Sequence, residues 1–166
     1  MLGEHLLLDL ASGNPEEGEV RPEGYIYQDI EPHPGITLVC DIEELDKFVK
    51  PGQCQRIRIS HALEHFPTAH VPILLKMFHR LIETDGTLEV HVPCFLWHAE
   101  LLSEGRDDEA VTYCFGGQRD KYDQHKTAFT PKILRKRLEE AGFKIIWEEV
   151  EHSIHCLARK IDNITP

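Results

Sequence analysis

The sequence predicts an α/β domain built around a mostly parallel sheet. Short apolar runs alternate with helical stretches along the chain, which is the pattern of such domains. Two runs at the end, 143–150 and 153–160, are separated by a tight turn and therefore predict an antiparallel hairpin. With 166 residues and 41% hydrophobic content, the chain is expected to form a single domain spanning 1–166.

Four apolar runs in the first third are predicted as strands, at 5–10, 24–29, 35–40 and 55–60. The stretch 13–23 is rich in Gly, Pro and Glu and barely reaches the length of a parallel crossover, so no full helix is expected there. Residues 42–49 have room only for a short helix, because Pro51-Gly52 stops it.

A well-defined helix begins at Val71, where apolar residues recur at the spacing of one helical face. Asp85-Gly86 is expected to end this helix, and 87–92 is expected to form the next strand. Thr130-Pro131 predicts the start of the last helix, with Thr130 as N-cap and proline in the first turn.

Residues 94–128 show no sustained period and are predicted to be a long loop. Gly116 and Gly117 can act as hinges, so the loop suits a lid over a polar substrate. Arg119 or Lys126 would then pair with an anionic group of that substrate, and a solvated surface loop is the alternative.

Composition excludes several classes of protein. A formal charge of −11 without a basic stripe makes nucleic acid an unfavourable partner. The opening apolar run is interrupted at Asp9, which fits neither a signal peptide nor a membrane span, so we expect a soluble cytoplasmic protein. Five cysteines without a C-x-x-C pair predict reduced thiols rather than a disulfide framework or a cysteine-type zinc site.

Four motifs occur in an informative order: Leu8-Asp9-Leu10-Ala11-Ser12-Gly13, Tyr27-Gln28-Asp29, Val39-Cys40-Asp41-Ile42 and Ser60-His61-Ala62-Leu63-Glu64-His65. Together with the passage from Arg80 to Leu88 and the sequence Ala141-Gly142-Phe143, they resemble the class I S-adenosylmethionine-dependent methyltransferases, particularly the type 11 group. The resemblance implies a Rossmann-like, seven-stranded sheet of order 3-2-1-4-5-7-6 with an antiparallel seventh strand. It also implies that the cofactor, S-adenosylmethionine, binds at the carboxyl ends of the first strands.

The resemblance assigns a role in cofactor binding to residues at each of these strand ends. Gly13 would let the backbone approach the methionine part, Asp29 would accept from the ribose hydroxyls, and Asp41 would accept from the adenine amino group. The full implied set is Asp9, Ala11, Ser12, Gly13, Asp29, Asp41, Ile42, Ser60 and His61. Ala11 departs from the family pattern, which has glycine there. Asp29 also fits a solvated turn and Asp41 an N-cap.

His61, His65 and His125 are the candidate catalytic residues, since an imidazole near neutral pKa can take a proton from the methyl acceptor. A dedicated base is not required, because holding the acceptor in line with the methyl carbon can do most of the work. The expected acceptor is a small molecule, a glycan or another molecule that is not a nucleic acid. For His125 alone, a packed or solvent-facing ring is the alternative.

Two other functions remain open. Ala11 and the near absence of a helix after the first strand favour a methyltransferase-fold module that binds without catalysis. His61 and His65, four residues apart, could share one face of a helical turn as zinc ligands do. This pair lacks the glutamate directly after the first histidine that H-E-x-x-H hydrolases use, so the main interpretation includes no metal. Because the cofactor pocket lacks a covering N-terminal segment, we also expect a homodimer.

Overall fold

A computed structural model describes residues 3–13, 21–119 and 121–161. Its strands are β1 (Leu6–Leu10), β2 (Tyr25–Asp29), β3 (Leu38–Val39), β4 (Cys54–Ser60), β5 (Ile82–Pro93), β6 (Phe143–Val150) and β7 (Ser153–Lys160). Its α-helices are α1 (Val71–Leu81), α2 (Phe95–Ser103), α3 (Asp107–Phe115) and α4 (Pro131–Glu140). Two short 3-10 helices, Ile42–Lys47 and Leu63–His65, complete the described elements.

All seven strands form one sheet of order β3-β2-β1-β4-β5-β7-β6. The neighbouring strands β3, β2, β1, β4 and β5 pair in parallel. β7 pairs antiparallel to both β5 and β6. Both the α/β class and the predicted strand order are therefore confirmed. Because β1, β2 and β4 are parallel, their carboxyl ends, at Leu10, Asp29 and Ser60, lie along one edge of the sheet.

The two faces of the sheet differ in polarity. One row of paired residues is fully buried and consists of Leu8, Ile57, Leu88 and Ala158. This row belongs to the same apolar core as Leu75 and Phe78 of α1 and Leu134 of α4. The next row on the opposite face consists of Asp9, Arg58, Glu89 and Leu157. The strict alternation of side chains thus gives the sheet one apolar face and one largely polar face.

Helix α1 buries one apolar stripe, as its spacing predicts, but it ends at Leu81 rather than at Asp85-Gly86. Ile82 is fully buried and pairs with Cys54, so β5 already begins there. The register then shifts before Thr87, and Asp85 adopts a φ of 63° at this irregularity. A Cβ on Gly86 would lie 2.8 Å from the Gln55 carbonyl oxygen. Asp85-Gly86 therefore forms a bulge between strands instead of a helix cap.

The segment 94–128, which was expected to be a long loop, contains α2 and α3, and these helices pack against each other. Sequence periodicity did not predict these helices because few of their residues are buried: only His98 and Leu101 in α2, and only Ala110 in α3. Apolar residues such as Leu96 and Val111 remain exposed, so no one-sided apolar stripe develops. Among the described residues of this segment, 116–119 and 121–128 are irregular.

The C-terminal part matches its prediction closely. Thr130 accepts a hydrogen bond from the Ile133 N–H at 3.3 Å and so caps α4, with Pro131 in the first turn. Gly142, with a φ of 95°, follows the helix, and the hairpin strands have the predicted bounds.

The smaller differences concern boundaries. β3 has only two residues, and the short helix expected within 42–49 is the 3-10 helix Ile42–Lys47. The expectation of no full helix in 13–23 falls largely on 14–20, which lies outside the described residues. Among the helices of the described ranges, none combines the length and the hydropathy needed to cross a bilayer.

Candidate functional site

A cleft of about 510 Å³ opens at the carboxyl edge of β1, β2 and β4. Its volume lies within the range of roughly 300–1,000 Å³ that is typical of small-molecule sites. The turns after these strands and the irregular segment beyond α3 line it. The lining includes Ala11, Gly13, Asp29, Asp41, Ile42, His61, His65, Arg119, Tyr122, Asp123 and Lys126.

The turn after β1 forms the floor of the cleft and is held by its neighbour β2. The backbone N–H of Ala11 donates to Gln28 Oε1 at 3.1 Å, and that of Gly13 donates to Asp29 Oδ2 at 2.8 Å. Ala11 has a φ of 51° and Gly13 a φ of 59°, so both occupy the left-handed region. A Cβ built on Gly13 would meet no atom of the described residues within 4 Å. The described part of the chain therefore leaves the backbone at Gly13 open.

Asp29 and Asp41 bring two carboxylates to the same cleft, and each already has a structural partner. Asp29 is 8% exposed, and its second oxygen accepts from the Glu31 N–H at 3.0 Å. Asp41 Oδ1 accepts from the Glu43 N–H at 2.9 Å, so the N-cap interpretation of Asp41 holds. Each carboxylate oxygen keeps a lone pair for a further donor. Asp29 and Asp41 can therefore keep these hydrogen bonds and still accept further ones from a ligand.

Three residues of the expected cofactor set do not line the cleft. Asp9 lies on the polar face of the sheet, 3.2 Å from Arg58 Nη1. Burial raises the pKa of Asp9, and the nearby guanidinium of Arg58 acts in the opposite direction. The Ser12 hydroxyl donates to the Asp9 carbonyl at 2.7 Å and so closes the turn. The Ser60 hydroxyl lies 3.3 Å from His91 Nδ1.

His61 and His65 line the cleft, whereas His125 lines a smaller neighbouring cavity together with Glu64 and His98. His61 Nδ1 lies 3.6 Å from Glu64 Oε1, and His125 Nε2 lies 4.0 Å from the same oxygen. Burial lowers the pKa of His125, against the opposing effect of the Glu64 charge. The three histidines are therefore grouped around one carboxylate.

Glu64 is the residue that sequence reasoning undervalued. Its side chain is 2% exposed, and among the residues that the structure describes neither of its carboxylate oxygens has a hydrogen-bond partner. The available signal was a carboxylate placed between two histidines directly after a buried strand. A buried, unpartnered carboxylate requires a physical explanation.

The segment beyond α3 contributes charged side chains to the cleft. Arg119 Nε lies 2.7 Å from Asp123 Oδ2, and the pKa of Asp123 is lowered by this hydrogen bond. Arg119 thus pairs with Asp123 in this structure, and the pairing of Arg119 or Lys126 with an anionic group of the substrate stays a prediction. Lys126 lines the cleft, and its backbone N–H donates to the Glu64 carbonyl at 2.8 Å.

Comparison with known proteins agrees with the fold. A family model described as a methyltransferase domain matches residues 14–148, and the chain therefore belongs to the methyltransferase domain family. This membership confirms the predicted class of enzyme, and with it S-adenosylmethionine as the cofactor of that class. No curated protein matches the chain.

Solved structures of low identity share the fold. The N1-methyltransferase of 1,6-didemethyltoxoflavin from Burkholderia thailandensis, solved with its substrate and S-adenosylhomocysteine, has a TM-score of 0.65 and 17% identity; the match covers 96% of this chain and 72% of that protein. A methyltransferase from Archaeoglobus fulgidus that depends on S-adenosylmethionine has a TM-score of 0.67 and 16% identity, over 95% of this chain and 87% of that protein. The methyltransferase bound to the Trm112 activator of Haloferax volcanii has a TM-score of 0.63 and 11% identity, over 98% and 85%.

Proposed function

We propose that this protein transfers a methyl group from S-adenosylmethionine to a small molecule or glycan held in the cleft. One observation carries the proposal: Gly13, Asp29 and Asp41, from three successive strand ends, line the same cleft. That convergence is what a ligand lying across the strand ends requires.

The residues present fit the cofactor. Asp29 and Asp41 are acceptors suited to ribose hydroxyls and to an adenine amino group, and Ile42 supplies an apolar border between them. Gly13 leaves its side of the cleft free of a Cβ. When bound, S-adenosylmethionine supplies an electrophilic methyl group on a sulfonium sulfur. Asp9, Ser12 and Ser60 support this arrangement by fixing the strand ends, at a distance from the ligand.

His61 and His65 are the candidates to receive a proton from the acceptor, because both line the cleft. The Glu64 carboxylate, 3.6 Å from His61 Nδ1, would stabilise an imidazolium that forms there. His125 Nε2 lies 4.0 Å from the same Glu64 oxygen and would act on the acceptor through Glu64. Orientation of the acceptor by the cleft walls supplies the remainder of the catalysis.

The acceptor is not expected to be a nucleic acid, because the chain carries a net charge of −11 and Arg119, in the cleft, pairs with Asp123. All five cysteines are free in the structure, which fits the reducing cytoplasm that we propose as its location. A second copy of the chain closing the cleft remains a prediction.

The non-catalytic module is the alternative, and the conformation of Ala11 bears on it. Ala11 has a φ of 51°, which is the left-handed conformation that the family glycine would supply freely. The alanine therefore preserves the path of the turn. This observation favours a turn that is still competent to bind the cofactor.

Calorimetric titration with S-adenosylhomocysteine tests the proposal. We expect saturable 1:1 binding in the micromolar range, weakened at least tenfold, or about 1.4 kcal/mol, in Asp41→Ser. Serine keeps the N-cap, so this variant should fold normally. Asp46→Ser is the matched control, because Asp46 lies on the same 3-10 helix, pairs with Arg80 and does not line the cleft. The absence of binding to folded wild-type protein would refute the proposal.

A further inference from the structure

The buried Glu64 carboxylate indicates a ligand that methyl transfer does not itself require. Glu64 lies on the 3-10 helix Leu63–His65, directly after β4, and is 2% exposed. Within the described part of the chain neither of its oxygens accepts a hydrogen bond, and His61 Nδ1 lies 3.6 Å from Oε1. A carboxylate in this state is unfavourable unless a cation or a proton donor reaches it.

Two imidazoles from separate parts of the chain face this carboxylate. One nitrogen of His65, one nitrogen of His125 and one Glu64 oxygen all lie within 4.8 Å of one another. His125 Nε2 is 4.0 Å from Glu64 Oε1, which is too long for a hydrogen bond. Neighbouring ligand atoms in a tetrahedral zinc site are about 3.4 Å apart, given metal–ligand bonds of roughly 2.0–2.1 Å. To reach that spacing, the three atoms would have to approach one another by up to about 1.4 Å.

The hydrogen bonds around the cluster resemble those that orient metal ligands. His65 Nδ1 lies 3.2 Å from the Gln124 carbonyl oxygen, which leaves its Nε2 available. The His125 ring hydrogen-bonds to the backbone of Tyr113. Metal-bound histidines commonly donate their second ring nitrogen to a carbonyl in this way. The backbone N–H groups of Lys126 and Thr127 both donate to the Glu64 carbonyl, at 2.8 and 3.1 Å, and fix the two segments together.

We propose that Glu64, His65 and His125 form a binding site for a divalent transition metal of the zinc type. Two imidazoles and a carboxylate are the ligand set of many zinc sites, whereas magnesium and calcium prefer oxygen ligands alone. His65 also lines the cleft, whereas Glu64 and His125 line the neighbouring cavity, so a bound metal would lie between the two. His61, which is not a ligand, would then remain available to receive a proton from the acceptor. The metal site would exist whether or not the chain transfers methyl groups; its effect on the acceptor rests on the proposed function.

The site differs from the His61/His65 pair that the sequence suggested. Within the described residues, the ligand-compatible group contains His65 but not His61. His61 instead packs its ring against His91, with ring centroids 4.3 Å apart. The second histidine comes from position 125, on a segment that no local spacing rule connects to position 65.

The test is calorimetric titration of chelator-treated full-length protein with zinc chloride, followed by the absorption spectrum of the cobalt(II) form. We expect one zinc per chain and the intense visible bands of tetrahedral cobalt. His125→Ala and Glu64→Gln should each weaken zinc binding about 100-fold or more. Circular dichroism checks that both variants fold. The matched control is His5→Ala, which removes a surface histidine paired with Glu83 at 2.7 Å and should bind zinc as wild type does.

Zinc binding that is equally weak in wild type, His125→Ala and His5→Ala would overturn the proposal, as would an octahedral cobalt spectrum. The same metal-free wild-type sample is titrated with S-adenosylhomocysteine. Binding of that ligand without zinc binding refutes the metal site alone. Zinc binding without S-adenosylhomocysteine binding supports the metal site and refutes the proposed methyl transfer.

Discussion

Gly13→Ala separates the stability of the turn after β1 from its capacity to bind a ligand. Gly13 has a φ of 59°, and a Cβ there would meet no described atom within 4 Å. The substitution therefore introduces no clash with residues 3–13, 21–119 and 121–161 of the free protein. It does place a methyl group where the proposed cofactor approaches the backbone.

The substitution changes both the free energy of unfolding and the free energy of ligand binding. An L-residue in the left-handed region costs about 1–2 kcal/mol, and alanine recovers about 0.4–1 kcal/mol by restricting the unfolded chain. The net loss of stability is about 1 kcal/mol, which lowers the melting temperature by about 2–4 °C in a protein of this size. Steric exclusion of the ligand should weaken binding at least tenfold, or about 1.4 kcal/mol.

The assay combines thermal unfolding with calorimetric titration of S-adenosylhomocysteine. Gly52→Ala is the matched control, because Gly52 has a φ of 71°, has equally open space around its Cβ position and does not line the cleft. It should lose similar stability and keep wild-type affinity. Equal affinities of Gly13→Ala and wild type would refute the placement of the ligand against this turn.

Three further predictions concern other parts of the fold. Burial, followed by the neighbouring His61 and His155, lowers the pKa of His91 from 6.5 to about 4, so stability present above pH 6.5 should be lost as the pH falls toward 4. Urea unfolding across this range should show a smaller loss in His91→Gln, and an equal loss would contradict the assignment. Burial raises the pKa values of Cys54 and Cys156 to about 12, so a thiol reagent at pH 8 should leave both unmodified in the native protein, as mass spectrometry will show. Thr130→Ala should lower the unfolding free energy by about 1 kcal/mol in urea titrations through loss of the α4 N-cap, whereas no change would mean that the cap does not matter.

Much of the fold followed from local patterns. The hairpin β6–β7 and the start of α4 were predictable because their turns and caps are encoded by adjacent residues such as Thr130 and Gly142. Helices α2 and α3 were missed because they bury few residues and leave Leu96 and Val111 exposed. Periodicity identifies a helix only where one face is buried.

The end of α1 shows a competition that local rules do not resolve. Asp85-Gly86 is a typical helix stop, but Ile82 is fully buried and pairs with Cys54 in the sheet. Cys54 is far from Asp85 in sequence, so a local pattern around Asp85 cannot predict this pairing. Tertiary pairing therefore ended the helix four residues early.

Placement of the site residues followed a similar division. The strand-end positions of Gly13, Asp29 and Asp41 were predictable from the order of the motifs, and the structure brings them to one cleft. The side-chain directions of Asp9 and Ser60 were not, because they depend on cross-strand partners such as Arg58 and His91. Glu64 and His125 are far apart in sequence, so their proximity depends on tertiary structure that no local pattern encodes.

We propose that an adenosyl ligand lies across the ends of β1, β2 and β3. Titration of ¹⁵N-labelled protein with S-adenosylhomocysteine, followed by amide chemical shifts, locates such a ligand without any substitution. We expect saturable shifts concentrated at Gly13, Asp29, Asp41 and His61. Shifts concentrated instead on the polar face of the sheet, around Arg58 and Glu89, or the absence of saturable shifts, would contradict it.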